Sequence, residues 1–202
     1  MCGRYYIDDS SEELDPYIEK MLKSSLVDEW HKTSAVKTSG EMRPTDVVPV
    51  IASNRLGKQS VFPMRWGFDG KSLLVNARVE TAATKPTFQE AWRTRRCIVP
   101  ASYYFEWEHL VRNDGKSATG AKYAIQPRGY AVTWLCGLYR FEGKLPVFVI
   151  LTKDAVEPIR FIHERMPLIM PTDLVSKWID PREDAAALVN AALCDMVAEK
   201  EA

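Results

Sequence analysis

Residues 97–107 read CIVPASYYFEW, a β-branched and aromatic run with the texture of a strand. Similar short β-rich runs lie on both sides of it, at 47–52, 60–66, 73–75, 122–126, 130–139 and 147–152. Turn chemistry separates them at Asp69-Gly70, Asn113-Asp114-Gly115, Pro127-Arg128-Gly129 and Glu142-Gly143. Helical patterning interrupts at 86–93, 155–163 and 172–178, and the alanine-rich stretch 184–194 is compatible with a helix. Upstream, Leu14, Tyr17, Ile18, Met21 and Leu22 recur at three- and four-residue spacing. They predict one helix over 10–30, with Ser10 and Glu13 in capping-box register and Pro16 confined to the first turn. Many strands, few long helices and no βαβ alternation predict an α+β fold. It is a single domain over 1–202, with a mostly antiparallel, barrel-like sheet and flanking helices.

Composition sets the outer limits. The 202 residues carry 27 Lys+Arg against 27 Asp+Glu, with 46% hydrophobic and 10% aromatic side chains. A disordered chain or a polybasic coat protein does not have that profile. The charge is nevertheless uneven: the balance is −2 over 1–64, +5 over 65–128 and −3 over 129–202. The middle third is therefore where an anionic partner is expected. Cys2, Cys97, Cys136 and Cys194 form no C-x-x-C pair and no two histidines stand four apart, so neither pattern suggests a metal or a cofactor. Asp8 and Asp9 follow the N-terminus where a signal peptide would have an apolar run, and no stretch has transmembrane length. The expectation is a cytoplasmic protein with reduced thiols.

Four clusters could carry chemistry. Removal of Met1 would give Cys2 an amine and a thiol on one residue, a β-aminothiol able to attack an aldehyde twice and close a thiazolidine ring. Arg4, Tyr5 and Tyr6 follow it directly, supplying a cation and aromatic rings. Asn76 and Arg78 stand two apart, so an extended segment projects both to one side, with Trp66 just upstream as a flat face for a base. Against this, Trp66 is also read as core and Arg78 as a partner of Glu80. Glu106 lies inside the aromatic strand, where a carboxylate is either solvent-facing or functional. Alternation places Tyr104, Glu106 and Glu108 on one face. His163 precedes Arg165, Met166 and Pro167 at the end of a helical run, as a cap or as a proton shuttle. His31 and His109 stand in plainer surroundings.

Taken in order, Met1-Cys2-Gly3-Arg4-Tyr5, Trp66-Gly67, Asn76-Ala77-Arg78-Val79-Glu80-Thr81, Phe105-Glu106-Trp107 and His163-Glu164-Arg165-Met166-Pro167 resemble the SRAP family of abasic-site processing proteins. The resemblance spans 1–167. It implies a β-barrel-like sheet framing a cationic groove, autocatalytic removal of Met1, and a covalent crosslink from Cys2 to abasic sites in single-stranded DNA, nucleoid-associated when bound. It also implies Cys2 as nucleophile and Asn76 as the group that orients it, with Glu106 and His163 moving protons as the sugar opens. Arg4, Arg78 and Arg165 are implied as phosphate contacts and Trp66 as a base contact. The protein is expected to act as a monomer, with AP-lyase strand cleavage as a side reaction. One departure concerns Glu41, where the family often has asparagine. A carboxylate there repels phosphate, with Arg43 as the compensating cation. The rival readings are a cysteine peptidase acting in trans and a non-covalent single-stranded DNA-binding module.

Overall fold

The computed structural model describes residues 2–111 and 114–201. In chain order the strands are β1 (Arg4–Ile7), β2 (Gly40–Met42), β3 (Val47–Ser53), β4 (Gln59–Trp66), β5 (Asn76–Arg78), β6 (Arg96–Ala101), β7 (Tyr103–Val111), β8 (Ser117–Pro127), β9 (Thr133–Glu142), β10 (Leu145–Asp154), β11 (Arg165–Pro167), β12 (Ile169–Met170) and β13 (Met196–Lys200). The helices are α1 (Asp15–Leu22), α2 (Leu26–His31), α3 (Val79–Ala82), α4 (Pro86–Thr94), α5 (Glu157–Arg160), α6 (Val175–Ile179) and α7 (Ala185–Asn190).

Pairing β10–β4, β4–β3, β3–β6, β6–β9 and β9–β10 closes a five-strand circuit, antiparallel except at β4–β10. Closure leaves these central strands without an open edge. A second, antiparallel sheet runs in the order β13-β8-β7-β1-β2. Short β5 continues along β10 beyond the end of β4, pairing Asn76 with Ile150 and Arg78 with Thr152. The α+β, barrel-like expectation therefore holds.

The run 97–107 is two strands, and the break between them builds the molecule. Ser102 is the corner where the chain leaves the barrel at β6 and enters the second sheet at β7. Its amide donates to the Tyr6 carbonyl at 2.8 Å, its hydroxyl accepts from the Asp8 amide at 2.9 Å, and its carbonyl accepts from the Thr133 hydroxyl at 2.9 Å. With its polar groups satisfied, the corner can be buried between the two sheets.

Other expectations need adjustment. The helix over 10–30 is two short helices, because Pro16 fits only the start of α1 and Ser24 interrupts after Leu22, its hydroxyl accepting from the Leu26 amide at 3.3 Å. The capping box does not form, since Ser10 bonds Asp8 instead. Residues 73–75 are not a strand; β5 begins one residue later, and Leu74 makes only an isolated bridge to Phe68. The helix expected over 155–163 is the single turn α5, and that over 172–178 is a 3₁₀ turn followed by α6. Asn113, in one predicted turn, lies outside the described residues.

Gly67 sets the exit from β4. Its φ is +117°, its amide donates to the Phe148 carbonyl at 2.7 Å, and a Cβ there would sit 2.7 Å from Leu73 Cδ1. Only glycine suits that backbone and that space, and this turn passes the chain from Trp66 toward β5.

Candidate functional site

The site forms where β1, β5 and β7 converge. Cys2 precedes β1 and is wholly buried, its Sγ within 3.8 Å of the Arg4 carbonyl. Asn76, at the start of β5, donates from Nδ2 to the Cys2 carbonyl at 2.8 Å. The antiparallel register Arg4–Phe105 and Tyr5–Tyr104 sets β1 against β7 and brings Glu106 to the cysteine. Glu106 is buried, with 4% of its surface exposed. Burial and then the Glu106 charge push the Cys2 thiol up, so it stays protonated at neutral pH. Burial likewise pushes the Glu106 carboxyl up from the usual carboxylate range.

His163 follows α5 and is buried, and its Nδ1 accepts from the Arg165 amide at 2.9 Å. Burial lowers its pKa to about 4. It is thus a neutral imidazole at pH 7, and with Nδ1 accepting, its proton sits on Nε2 as a donor. Its ring meets the His109 ring edge-on at 4.2 Å between centroids. His109 lies near enough to Glu106 to oppose a small part of the effect of burial, so this ring neighbours both the carboxyl and His163. In the sequence His109 stands in plainer surroundings, and strict alternation along β7 would point it away from Glu106. The bulge between Trp107 and His109 cancels that alternation, and nothing in the sequence marks the bulge.

The structure brings Cys2, Asn76, Glu106 and His163 into one neighbourhood, and it distributes the four expected DNA contacts differently. Arg78 is exposed and makes no ion pair among the described residues. Glu80, its expected partner, instead grips Arg165. The Arg165 guanidinium is 7% exposed and bonds Glu80 through both its terminal nitrogens, at 2.8 and 2.9 Å. It also binds Asp154 and the Thr152 carbonyl. This arginine is a clamp between α3, β10 and β11, its two terminal nitrogens committed to internal partners while its buried Nε has none among the described residues. Trp66 is a correction: it is wholly buried, stacks on Phe148 at 6.1 Å and donates from Nε1 to the Val75 carbonyl at 2.9 Å. A ring without exposed surface offers no face to a base, and Trp66 is core.

The rings that do line the outer face come from the opposite parity of β7. Tyr103 and Tyr6 stack at 5.2 Å and Trp107 follows, while Phe105 between them is buried, edge-on to Tyr103 at 5.3 Å. Lys122 lies 3.4 Å over the Phe105 ring, and Arg4 lies 5.8 Å from the Trp107 centroid. The alternation of 103–107 carries this face, opposite to the one that holds Glu106. Glu41 sits in this strip on β2 and bonds Arg4, Arg43 and Lys122. Burial opposes its charge, yet hydrogen bonds from Arg4 and Lys122 outweigh that and hold the carboxyl at about 2. Much of the middle-third excess is consumed in the same way. Arg65 pairs with Glu142 and Asp69, Arg95 with Glu90, and Arg128 with Asp195. Arg96 is buried, bonding four backbone carbonyls.

Among the described residues no group of three or more histidine, cysteine or acidic side chains is placed to hold a metal, and no helix is long and apolar enough to cross a membrane. Fold and site define a single-domain protein that presents a near-terminal cysteine to a buried carboxyl and a neutral imidazole. The family model for SOS response associated peptidase (SRAP) matches residues 1–201, and the chain belongs to that family. It is 28% identical to abasic site processing protein YoaM of Bacillus subtilis, across 90% of this chain and 80% of the relative. It is also 28% identical to abasic site processing protein YedK of Escherichia coli, across 89% and 79%. Among solved structures it resembles a phage-related protein from Bordetella bronchiseptica, with TM-score 0.74, 20% identity, and 99% and 94% of the two chains covered. A protein from Bacteroides thetaiotaomicron aligns with TM-score 0.73 and 23% identity, across 100% and 92%.

Proposed function

We propose that this chain captures abasic sites in single-stranded DNA covalently, through Cys2, once Met1 has been removed. The observation that carries this reading is the Cys2 backbone held by Asn76 at 2.8 Å, with the buried Glu106 beside the thiol. The names of the relatives agree with it.

The chemistry balances within the chain and its substrate. Hydrolysis of the Met1–Cys2 bond consumes one water and frees the Cys2 amine. The closed abasic sugar must expose its aldehyde: the anomeric hydroxyl gives up a proton and the ring oxygen gains one, a transfer that Glu106 relays while the His163 Nε2–H hydrogen-bonds the ring oxygen. The amine adds to the aldehyde carbon and water leaves, giving a Schiff base. Glu106, its carboxyl pushed toward the protonated form, delivers the proton to the departing oxygen. The thiol then adds across the C=N bond, its proton passing to nitrogen, and the thiazolidine ring closes. The tether between nucleophiles makes the second addition intramolecular. Arg4 and Arg78 attract phosphates, while Arg165 acts through position, holding β11 and with it the amide that fixes His163.

Incubation with a single-stranded oligonucleotide carrying one abasic site, followed by denaturing electrophoresis, is expected to give a shifted band that Cys2→Ala abolishes. Intact mass should show loss of Met1. A chain that keeps Met1 and gives no band would sink the reading. Strand nicking by a Cys2→Ala chain with its amine free would report β-elimination from the Schiff base, the AP-lyase side reaction. Turnover of an added peptide would favour a peptidase acting in trans instead.

A further inference from the structure

Three cations converge on one side chain at the edge of the site. Glu41 Oε1 accepts from Arg4 Nη1 and, at 3.1 Å, from Arg43 Nε, while Oε2 lies 3.1 Å from Lys122 Nζ. These groups come from four neighbouring parts of the chain: β1, β2, the segment after β2, and β8. The carboxylate is 22% exposed, so it lies at the surface of the sheet, in reach of a ligand. The position is strongly built. Gly40 before it takes φ +84°, and Lys37 Nζ donates to the Glu41 carbonyl. Around it run Tyr6, Tyr103 and Trp107, partly exposed rings of the kind on which unpaired bases stack. Cations among such rings make a subsite for a backbone phosphate, and here a carboxylate from the chain already fills it.

We propose that Glu41 is an internal anion that competes with a DNA phosphate for Arg4, Arg43 and Lys122, and so keeps the protein loosely held on undamaged single strands. The inference rests on the abasic-site reading above, and it names what that reading leaves open: how a surface that carries Arg4, Arg43 and Lys122 lets go of intact DNA. A phosphate entering the subsite must displace the carboxylate from at least part of the trio, so every hydrogen bond it makes there is offset by one that Glu41 gives up. Retention then depends on the covalent bond at Cys2, and occupancy of intact strands stays low.

The test compares the full chain with Glu41→Gln, using fluorescence anisotropy on an intact single-stranded oligonucleotide over a salt series. Glutamine keeps the shape and removes the charge. Glu41→Gln is expected to bind roughly fivefold more tightly at low salt, and its salt slope should steepen by about 0.7 for each additional phosphate neutralised. Lys122→Gln should cost little in the parent, where Glu41 neutralises the lysine, and several-fold in the Glu41→Gln background. That second arm reads the competition even where the single variant is less stable. Equal or weaker binding by Glu41→Gln, absence of binding by both proteins included, together with an unchanged effect of Lys122→Gln in the two backgrounds, overturns the proposal. Crosslinking to abasic DNA is scored separately: its loss from both proteins sinks the covalent reading, whereas equal affinities with crosslinking intact sink only the role of Glu41.

Discussion

Asn76 Nδ2 and the Cys2 carbonyl meet at 2.8 Å although 74 residues separate them in the chain. The contact exists because β5 lies along β10 in parallel register, which delivers Asn76 to the barrel mouth just where the segment before β1 arrives. The bond fixes the plane of the peptide unit that follows the Cys2 amine and thiol, so it bears on the direction of attack. Asn76→Ala should slow crosslinking to abasic DNA by about 10- to 100-fold, the usual consequence of a reacting group displaced by an ångström. The rate of band formation on denaturing gels measures this. Affinity for intact single strands should be unchanged, and a parallel loss of affinity would assign Asn76 to DNA binding instead.

Arg165 and Arg78 look alike in the sequence and should behave oppositely. Arg165 is buried and gripped by Glu80, Asp154 and the Thr152 carbonyl, so Arg165→Gln leaves a buried carbonyl and a dismantled network. Urea unfolding should show a loss of about 2 kcal/mol, less than for a fully enclosed pair because Glu80 and Asp154 regain water. Lysine should not restore it, since its single ammonium cannot reproduce the two-nitrogen grip. Exposed Arg78 should give the reverse result on Arg78→Gln, with stability within about 0.5 kcal/mol of the parent and a salt slope of DNA binding shallower by about 0.7.

These two arginines also show what a sequence can and cannot convey. The parity of Asn76 and Arg78 on an extended segment is local geometry, readable from a spacing of two, and the register with Ile150 and Thr152 agrees with it. Which arginine keeps its charge for a ligand is not local: it depends on Glu80 of α3 facing β11 across 85 residues. Likewise the β-rich texture of 97–107 is visible, but the corner at Ser102 depends on Tyr6, Asp8 and Thr133 arriving from elsewhere. Short β1, β2, β11 and β12 have two to four residues each, too few for any period to register. The +5 balance of the middle third is a true count, yet Arg65, Arg95, Arg96 and Arg128 are spent on internal partners, several of them far away in the chain.

Thr45 is the one non-glycine residue with positive φ among the described residues, at +80°, and its amide donates to the Trp66 carbonyl at 2.9 Å. A β-branched side chain in that region is strained, and the turn that contains it carries Arg43 beside Glu41. Thr45→Gly should relieve the strain and stabilise the fold by about 1 kcal/mol in thermal unfolding, after the entropy that glycine adds to the unfolded chain. If binding of single strands weakens as stability rises, the strained turn is part of how Arg43 is presented.

His163 sets the acid limb of stability. Its folded pKa of about 4 lies below the value near 6.5 of an unfolded histidine, so between those values the unfolded chain binds the extra proton. The contribution of this group is therefore complete above about pH 6.5 and declines as the pH falls toward 4. Solvent reaching the site screens part of the effect, and the loss should be on the order of 1 kcal/mol over the window. Glu106 titrates in the opposite sense, because its folded pKa is raised, and its contribution declines as the pH rises. The measurement is therefore the difference between the parent and His163→Gln in urea midpoints from pH 4 to 7. The parent's advantage should grow with pH up to about 6.5 and then level off. A difference flat with pH would mean that His163 carries its charge as easily in the folded protein as in the unfolded chain, and the neutral Nε2–H donor assigned to it in sugar opening would fall with it.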